Sequence, residues 1–246
     1  MADAGVDDPS DIDAAYRRVV PVLGDFAHTV DLAGATFPGE RMTDRDWLAA
    51  RVADTGVRWG CDDPRINGTL WWYSASSTVV AAPIAMLASD GVAPDPDPAQ
   101  WVCTLRDYGY LGAVRSRRLV RSPSRYAERL VAAYGSLIEP LAAVSGAAPR
   151  ALWAIATDSV ANRALAVGRT LGRVDDACAL AVELARPPLL TPRFVDVETA
   201  SRTDRFTRRG SCCLIYLTAD SDKCTSCPRR TPADRHARLR RHVDAS

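Results

Sequence analysis

The sequence predicts an α+β fold, in which a mostly helical body carries a small antiparallel β element and a short carboxy-terminal segment of different character. Three observations indicate this class. Long stretches repeat apolar residues at three- and four-residue steps, one short stretch alternates apolar with polar residues, and four of the seven cysteines lie close together after residue 210. With 246 residues and 47% hydrophobic content, the chain is long enough to bury a core of its own.

The helices of the body are predicted from their start and stop signals. Ser122-Pro123 is an N-cap followed by proline at the first helical position, and Gly146 stops the same amphipathic pattern. Thr43 is expected to cap a second helix. The expected helices cover residues 10 to about 30, 43 to about 56, 71–87 with an interruption at Pro83, 122–146, 149–171, 174–186 and 231–242.

The β element is predicted in two places. Residues 101–105 alternate in polarity, and a Tyr108-Gly109 turn leads back to residues 111–114, which predicts an antiparallel hairpin. Near the carboxy terminus, residues 193–197 are expected to form a strand, 202–210 a polar loop and 213–217 a short buried strand. A boundary near residue 200 would divide the chain into a helical body, 1–200, and a carboxy-terminal segment, 201–246.

Composition and charge argue against several classes of partner. The 31 basic and 30 acidic residues give no overall field for nucleic acid, although residues 201–246 have a net charge of +6 and residues 1–50 a net charge of −6. The longest apolar run, Val79 to Ala88, is too short to span a bilayer, so no membrane insertion is expected. The acidic start does not resemble an export signal, which makes the cytoplasm the expected compartment. In that compartment a cysteine cluster more often binds metal or carries out redox chemistry than forms disulfides.

Cys212, Cys213, Cys224 and Cys227 are the candidate metal ligands. Four closely spaced thiolates are the ligand set of a structural zinc ion or of an iron-sulfur cluster, and a thiol-disulfide redox site is a third reading. Zinc sites usually space paired cysteines by two to four residues, which fits Cys224 and Cys227 but not the adjacent pair. In an extended strand Cys212 and Cys213 would point to opposite faces, so a two-iron cluster tolerates this pair better than a single tetrahedral ion does. Of the other cysteines, Cys103 and Cys178 are expected in the core, and Cys61 has no second cysteine nearby in the sequence.

The cysteine pattern resembles that of the FhuF-type ferric siderophore reductases, whose signature is Cys-Cys-x10-Cys-x2-Cys. Ten residues separate Cys213 from Cys224 and two separate Cys224 from Cys227, and the flanking residues 209–216 and Cys227-Pro228 match as well. The resemblance covers about residues 205–230. It implies a [2Fe-2S] cluster on the four cysteines, an oxidoreductase that releases iron from a cytoplasmic ferric siderophore by one-electron reduction, and a siderophore-binding role for the helical body.

The remaining partners follow from what the sequence contains. Dinucleotide and P-loop motifs do not occur in it, so the electron is expected from a partner of the ferredoxin or flavin reductase class. Arg208, Arg209, Arg229 and Arg230 flank the cysteines and are candidates for docking an anionic chelate; alternatively they offset the charge of the cluster or pair with the acidic amino terminus. The alternative function is a non-catalytic binding protein in which the four cysteines hold a structural zinc ion.

Two further polar or aromatic groups have open roles. Ser159 and Asn162, on the central helix, are expected either to face a substrate cleft or to serve helix contacts. The sequence Trp71-Trp72-Tyr73 is expected mainly in the core, with stacking on an aromatic chelator as the alternative.

Overall fold

The computed structural model of the chain describes residues 8–200, 202–219 and 221–245, and its elements confirm the α+β class. The helices in these ranges are α1 Pro9–Leu23, α2 Arg45–Trp59, α3 Pro64–Asp90, α4 Pro123–Ser145, α5 Pro149–Leu171, α6 Val174–Leu184 and α7 Pro232–Ala245. The strands are β1 Thr36–Pro38, β2 Ala93–Pro94, β3 Trp101–Leu105, β4 Leu111–Ser116, β5 Leu119–Val120, β6 Phe194–Glu198 and β7 Thr203–Thr207.

Helices α3 and α5 pack against each other at the centre of the body, and their contact includes polar links. The indole of Trp72 donates to the Leu152 carbonyl oxygen over 2.8 Å, and the hydroxyls of Ser76 and Ser159 lie 2.8 Å apart. Both serines are buried, so their hydroxyls satisfy each other away from water. The pair fixes the register in which the two helices cross, and it shows that the hydroxyl of Ser159 serves a helix contact.

Helix α3 is more buried than a single amphipathic face would make it. It is long and apolar enough to cross a membrane by composition, but 83% of its most apolar window is buried inside the protein. Such burial is typical of the core helix of a globular protein. The helix continues through Pro83, where the sequence predicted an interruption. Packing on several sides holds the helix together despite the hydrogen bond that proline removes.

The β elements are small and antiparallel. Strands β1, β3 and β4 form one sheet in the order β1-β3-β4, while β2 pairs with β5 and β6 with β7. The predicted hairpin is confirmed as β3 and β4, and its turn places Tyr108 and Gly109 at positive φ angles of 57° and 68°. The indole of Trp71 donates to the Gly109 carbonyl oxygen over 3.1 Å, so the turn is fastened to α3.

Three further local predictions are wrong. The side chain that caps α2 is that of Asp44, whose carboxylate accepts from the Trp47 amide over 2.7 Å, while the Thr43 hydroxyl donates to the Glu40 carbonyl oxygen. Residues 203–207, expected in a polar loop, form β7. Their backbone pairs with that of β6, and this pairing makes them a strand despite their charged side chains. Residues 213–217, expected as a strand, instead form a tight turn followed by a short 3-10 helix from residue 215.

The predicted boundary near residue 200 falls between β6 and β7, the two strands of one hairpin. Ion pairs tie this hairpin to the body: Arg169 of α5 pairs with Asp204, and Arg205 pairs with Asp175 of α6. Helix α7 packs on the hairpin through a small apolar cluster of Val197, Leu239 and Val243. The division into a body and a carboxy-terminal segment stays a prediction.

Candidate iron-sulfur site

The four predicted cysteines come together in one small apolar cluster. Cys212, Cys213 and Cys227 are buried and Cys224 is half-buried. They pack with Leu214 and with Ile66 and Leu70 from the first turns of α3. The segment after β7 therefore folds back onto the amino-terminal end of the central helix of the body.

A left-handed residue lets the adjacent cysteines share one cluster. Leu214 has φ of 66° and ψ of 7°, and its amide donates to the Cys212 sulfur over 3.4 Å. A non-glycine residue in this conformation costs about 1 kcal/mol or more, so the surrounding contacts must impose it. The turn resolves the problem that an extended Cys212-Cys213 pair would pose, and it is why the predicted strand does not form here.

Contacts between the thiols link three of the four cysteines. The sulfurs of Cys212 and Cys227 lie 3.6 Å apart, and the Cys212 and Cys213 side chains interact. The Arg209 guanidinium joins the fourth, because its Nη1 lies 3.3 Å from the Cys224 sulfur and it also interacts with Cys213. None of the seven cysteines forms a disulfide bond, so none of these contacts is one.

The electrostatic surroundings favour negative charge at Cys213 but not at its neighbour: the pKa of Cys212 is raised, first by its side-chain hydrogen bond with Cys213 and then by burial. The pKa of Cys213 is lowered to about 5, first by the hydrogen bond from the Cys212 thiol and then, against burial, by the Ile215 amide and by Arg209. Burial raises the pKa of Cys224, and the charge of Arg209 opposes that rise. Amide donors and one fixed cation are what thiolate ligands of a metal cluster need, since they compensate charge that water does not reach.

Arg209 is held in place by a buried carboxylate from α5. Its Nε lies 3.6 Å from Oδ2 of Asp158, and the two side chains are only 3% and 5% exposed. Asp158 also accepts from the amides of Gly210 and Ser211, at 2.8 and 3.3 Å. Burial raises the pKa of Asp158, while the Gly210 amide and Arg209 oppose the rise. Through this carboxylate, α5 positions the backbone that leads into Cys212.

Arg209 retains hydrogen-bonding capacity beside the thiols. Its Nε and Nη2 atoms are buried with no hydrogen-bond partner in the part of the chain that the structure describes. Buried donors without a partner beside sulfur atoms are consistent with a site that binds a negatively charged group. Across the described ranges, no group of three or more His, Cys, Asp or Glu side chains is arranged to hold a single metal ion. A two-iron cluster takes its ligands in pairs on separate irons, and the four cysteines supply the thiolates that such a cluster needs.

The four predicted docking arginines have different surroundings. Arg209 is buried, which is inconsistent with a surface docking role and consistent with the alternative that it offsets charge at the thiols. Arg230 is half-buried and donates to the carbonyl oxygens of Cys224 and Lys223 while pairing with Asp234, so it braces the loop before Cys227. Only Arg208 and Arg229 of this set are exposed.

The remaining cysteines lie apart from the four, with one exception. Cys103 is buried in β3, and Cys178 is buried in α6. Cys61 packs at the edge of the four-cysteine cluster, although nothing in the sequence placed it there. Its carbonyl oxygen accepts from the Asn67 amide side chain over 2.8 Å.

A cavity of about 520 Å³ opens next to Cys213. It lies where α2, α3, α5 and the β3–β4 turn meet, and its volume is in the range of small-molecule sites. Its lining combines aromatic, polar and cationic side chains with few carboxylates: Phe26, His28, Arg58, Trp59, Tyr73, Arg106, Asp107, Tyr110, Ser159, Asn162, Arg163, Cys213 and Ile215 are among them. The Tyr73 side chain connects the cavity with Arg209. It lines the cavity, and the guanidinium carbon of Arg209 lies 5.0 Å from the centre of its ring.

Sequence reasoning anticipated this cavity only in part. Ser159 and Asn162 do line it, and Tyr73 lines it while Trp71 and Trp72 are in the core. Asp158 and Arg163 were missed. The sequence did contain a signal for them: positions 158, 159, 162 and 163 are polar or charged in an otherwise alanine-rich helix. Residues three and four apart lie on the same face, so this pattern indicates one polar face of α5. Charged residues in so apolar a helix need a partner or a function.

Comparison with protein families identifies the site. Residues 209–229 match the model of the FhuF 2Fe-2S C-terminal domain, a span that begins at Arg209 and includes all four cysteines. No match to the chain was found among curated proteins. The matched segment is the one in which the thiols, the left-handed turn and the buried arginine occur together. Residues 209–229 are therefore similar to the FhuF 2Fe-2S C-terminal domain, and the cofactor of the protein is a [2Fe-2S] cluster.

Proposed function

We propose that the protein is a cytoplasmic ferric-siderophore reductase, in which Cys212, Cys213, Cys224 and Cys227 ligate the [2Fe-2S] cluster. Siderophores bind Fe³⁺ through hard, anionic oxygen atoms. Adding one electron lowers the charge of the ion, weakens those bonds and allows Fe²⁺ to leave. When bound, the cluster supplies a single-electron donor whose potential depends on hydrogen bonds, charge and exposure.

The observation that carries this proposal is the cavity beside Cys213. A chelate bound there would lie directly against Cys213, a proposed ligand of the cluster. The distance between chelate and cluster would then be short, as electron transfer between non-bonded groups requires. The cavity lies on the helical body, in agreement with the substrate-binding role proposed for residues 1–200. The protein's own residues would hold the chelate, exclude part of the water and stabilise the thiolates.

The electron must reach the cluster from another protein. The chain has no dinucleotide-binding or P-loop motif, so a ferredoxin or a flavin reductase is the proposed class of donor. A second cavity, of about 410 Å³, lies on the side of Cys212 and is lined by Arg65, Ser211 and Arg229, among others. Two openings next to two different cysteines would allow donor and substrate to use separate faces.

The exposed arginines Arg208 and Arg229 have a smaller proposed role. They lie next to the cysteines in sequence and are open to solvent, so they would attract an anionic chelate over a Debye length of about 8 Å at physiological salt. Arg209 does not share this role because it is buried. Attraction of this kind changes the rate of encounter more than the strength of binding.

The proposal is tested with anaerobically purified protein. Iron and sulfide near two per chain with visible absorption are expected, whereas one zinc ion and no colour would support the alternative of a zinc-stabilised binding protein. The chemically reduced protein is then mixed with ferric siderophores of several ligand classes in the presence of a ferrous chelator. Reoxidation of the protein in step with Fe²⁺ release is the expected result. A cluster that stays reduced with every class of siderophore would refute the reductase function.

A further inference from the structure

The open end of the β6–β7 hairpin brings two arginines together. Phe194 pairs with Thr207, and the next positions along the two strands are Arg193 and Arg208. The Arg208 amide donates to the Arg193 carbonyl oxygen over 2.7 Å, so the two residues lie directly opposite each other. Like charges in this position are destabilising. Both residues are exposed, and neither side chain pairs with a carboxylate in the part of the chain that the structure describes.

A small cavity collects these two arginines with two more. Its volume is about 160 Å³, smaller than the roughly 300–1,000 Å³ of sites for drug-sized ligands, so it suits a small ligand. Among the described residues, its lining contains four arginines and no carboxylate: Arg193, Arg208, Arg209, Ser226, Pro228 and Arg235. Arg235 comes from the first turn of α7, where its Nη1 donates to the Arg230 carbonyl oxygen over 3.3 Å.

Arg209 is the buried member of this lining. Its side chain is 3% exposed, and its Nη2 atom is buried with no hydrogen-bond partner in the described ranges. Its Nη1 atom lies 3.3 Å from the Cys224 sulfur. One donor of a deeply buried cation is therefore unused in a cavity where three further arginines meet. A bound anion would supply the missing acceptor.

The negative groups near the cavity offset only part of its charge. Asp158 and the cluster sulfurs face Arg209 and compensate it. Asp234 of α7 pairs with Arg230 and Arg238, at 2.8 and 3.0 Å. A cluster bound to thiolates carries net negative charge of its own, which weakens the attraction for another anion. The other three arginines of the lining form no hydrogen bond to sulfur and no ion pair with a carboxylate of the described chain, so their charge is left for a ligand.

We propose that this four-arginine cavity binds a phosphate-class oxyanion, and that the bound ion lowers the reduction potential of the cluster. A guanidinium group matches two phosphate oxygens with parallel hydrogen bonds. Arginines that arrive from the ends of β6 and β7 and from α7 fit an ion whose oxygens point in several directions. A carboxylate offers two oxygens in one plane and carries less charge, so it should bind more weakly.

The effect on the cluster runs through Arg209. This side chain lines the cavity and contacts the Cys224 sulfur, so the oxyanion and the cluster share one cation. Reduction adds one negative charge to the cluster and should weaken binding of the oxyanion. By linkage, the oxyanion must disfavour reduction by the same factor. The inference depends on the cofactor and does not rest on the reductase function.

Binding is measured by calorimetry of the oxidised, cluster-loaded protein with inorganic phosphate at constant ionic strength. The wild type should bind phosphate and should bind acetate clearly more weakly. Arg193→Gln and Arg235→Gln should each weaken phosphate binding by roughly tenfold, because each removes a charged hydrogen bond. Methyl phosphate distinguishes two sources of the ligand. Equal binding indicates the phosphate group of a larger molecule, weaker binding indicates the free ion, and both agree with the proposal.

Two arginines outside the lining are the matched controls. Arg240→Gln changes another exposed arginine of α7, and Arg229→Gln changes an exposed arginine that lines the cavity at Cys212 instead. Both variants should bind phosphate as the wild type does. Arg209 is kept in every variant, because its loss would also disturb the thiolates.

The reduction potential is the second measurement. Saturating phosphate should lower the potential of the wild type relative to chloride at the same ionic strength. If the oxidised protein binds phosphate about fivefold more tightly than the reduced protein, the shift is about 40 mV. Arg193→Gln should retain little of this shift at a phosphate concentration that saturates only the wild type.

Several outcomes would overturn the inference. No binding at millimolar phosphate would do so, as would acetate bound as tightly as phosphate or equal affinity in Arg193→Gln and Arg240→Gln. Phosphate binding with an unchanged potential would overturn the coupling to the cluster. A protein that binds phosphate but reduces no ferric siderophore loses only the proposed function, whereas one that reduces a siderophore without binding phosphate loses only this inference.

Discussion

The helical body and the cysteine segment, residues 209–229, are stabilised in different ways. The body buries a continuous core in which α3 and α5 contact most of the other helices and the β3–β4 hairpin. The cysteine segment has a small cluster whose buried members are three cysteines, Leu214 and two residues borrowed from α3. A further link to the body is polar, through Asp158 and Arg209. Apolar burial supplies the stability of the body, whereas the segment depends on a buried ion pair and on what its sulfurs bind.

Because of this difference, we expect a substitution or the loss of the cluster to destabilise the two regions to different degrees. Removing sulfur ligands or the cluster should disturb the segment and spare the helices. Loss of the buried ion pair between Arg209 and Asp158 should destabilise both regions, because the pair joins them.

The largest effect is expected from single changes of the four cysteines to serine. Cys212→Ser, Cys213→Ser, Cys224→Ser and Cys227→Ser should each abolish or nearly abolish the visible absorption of the purified protein, because each removes one proposed ligand. Cys178→Ser should retain full absorption. Cys61→Ser is the sharper control, since Cys61 packs at the edge of the cluster and is not a proposed ligand. Wild-type iron content in Cys224→Ser, or its loss in Cys61→Ser, would contradict the assignment.

Asp158→Asn should destabilise the protein by about 3 kcal/mol, because it leaves the buried Arg209 without its carboxylate. The matched control is Asp176→Asn. Asp176 pairs with Arg173 at 2.9 Å, but these side chains are 66% and 56% exposed, so a loss below about 1 kcal/mol is expected. Urea unfolding followed by far-UV circular dichroism measures both. Equal losses in the two variants would show that the link between body and segment is not energetically important.

Removal of the cluster by an iron chelator should loosen residues 200–246 and leave the helical core largely protected. The physical reason is that the segment buries little apolar surface of its own. Hydrogen exchange read by mass spectrometry should show faster exchange in peptides from the cysteine segment, with unchanged protection in α3 and α5. Global loss of helical circular dichroism on iron removal would mean that the two regions form a single cooperative unit.

Arg209→Gln should lower the reduction potential on the order of 60 mV, about a tenfold change in the one-electron equilibrium, because the buried cation stabilises the more negative reduced state. Arg229→Gln is the control. It alters an exposed arginine and should leave the potential unchanged. Potentiometric titration of both variants checks the prediction. An unchanged potential in Arg209→Gln would show that the guanidinium acts only in folding.

The smallest effect is expected from salt. If Arg208 and Arg229 attract an anionic chelate through solvent, a rise in ionic strength should slow its second-order reduction by a few-fold and leave that of a neutral chelate unaffected. Stopped-flow reoxidation of the reduced protein provides the rates. Equal salt dependence for the two chelates would exclude attraction by these surface charges.

Much of the fold could be predicted because its signals are local. Ser122-Pro123 and Gly146 mark the ends of α4, and the structure has the helix between them, at Pro123–Ser145. The alternation in residues 101–105 and the turn at Tyr108 likewise correspond to the β3–β4 hairpin. Strand β7 could not be predicted, since its polar residues form a strand only because β6 pairs with them.

For the site, the spacing of the four cysteines narrowed the cofactor to a few metal or redox centres, and the resemblance of the motif to that of the FhuF-type reductases indicated the [2Fe-2S] cluster. The sequence by itself thus determined the helical framework and the [2Fe-2S] motif. Only the tertiary structure decided that Leu214 turns left-handed to bring two adjacent sulfurs together, that Arg209 is buried on Asp158, and that a cationic cavity lies beside Cys213. These features join residues that are distant in the chain, and burial and pairing arise from packing between elements, which local patterns do not encode.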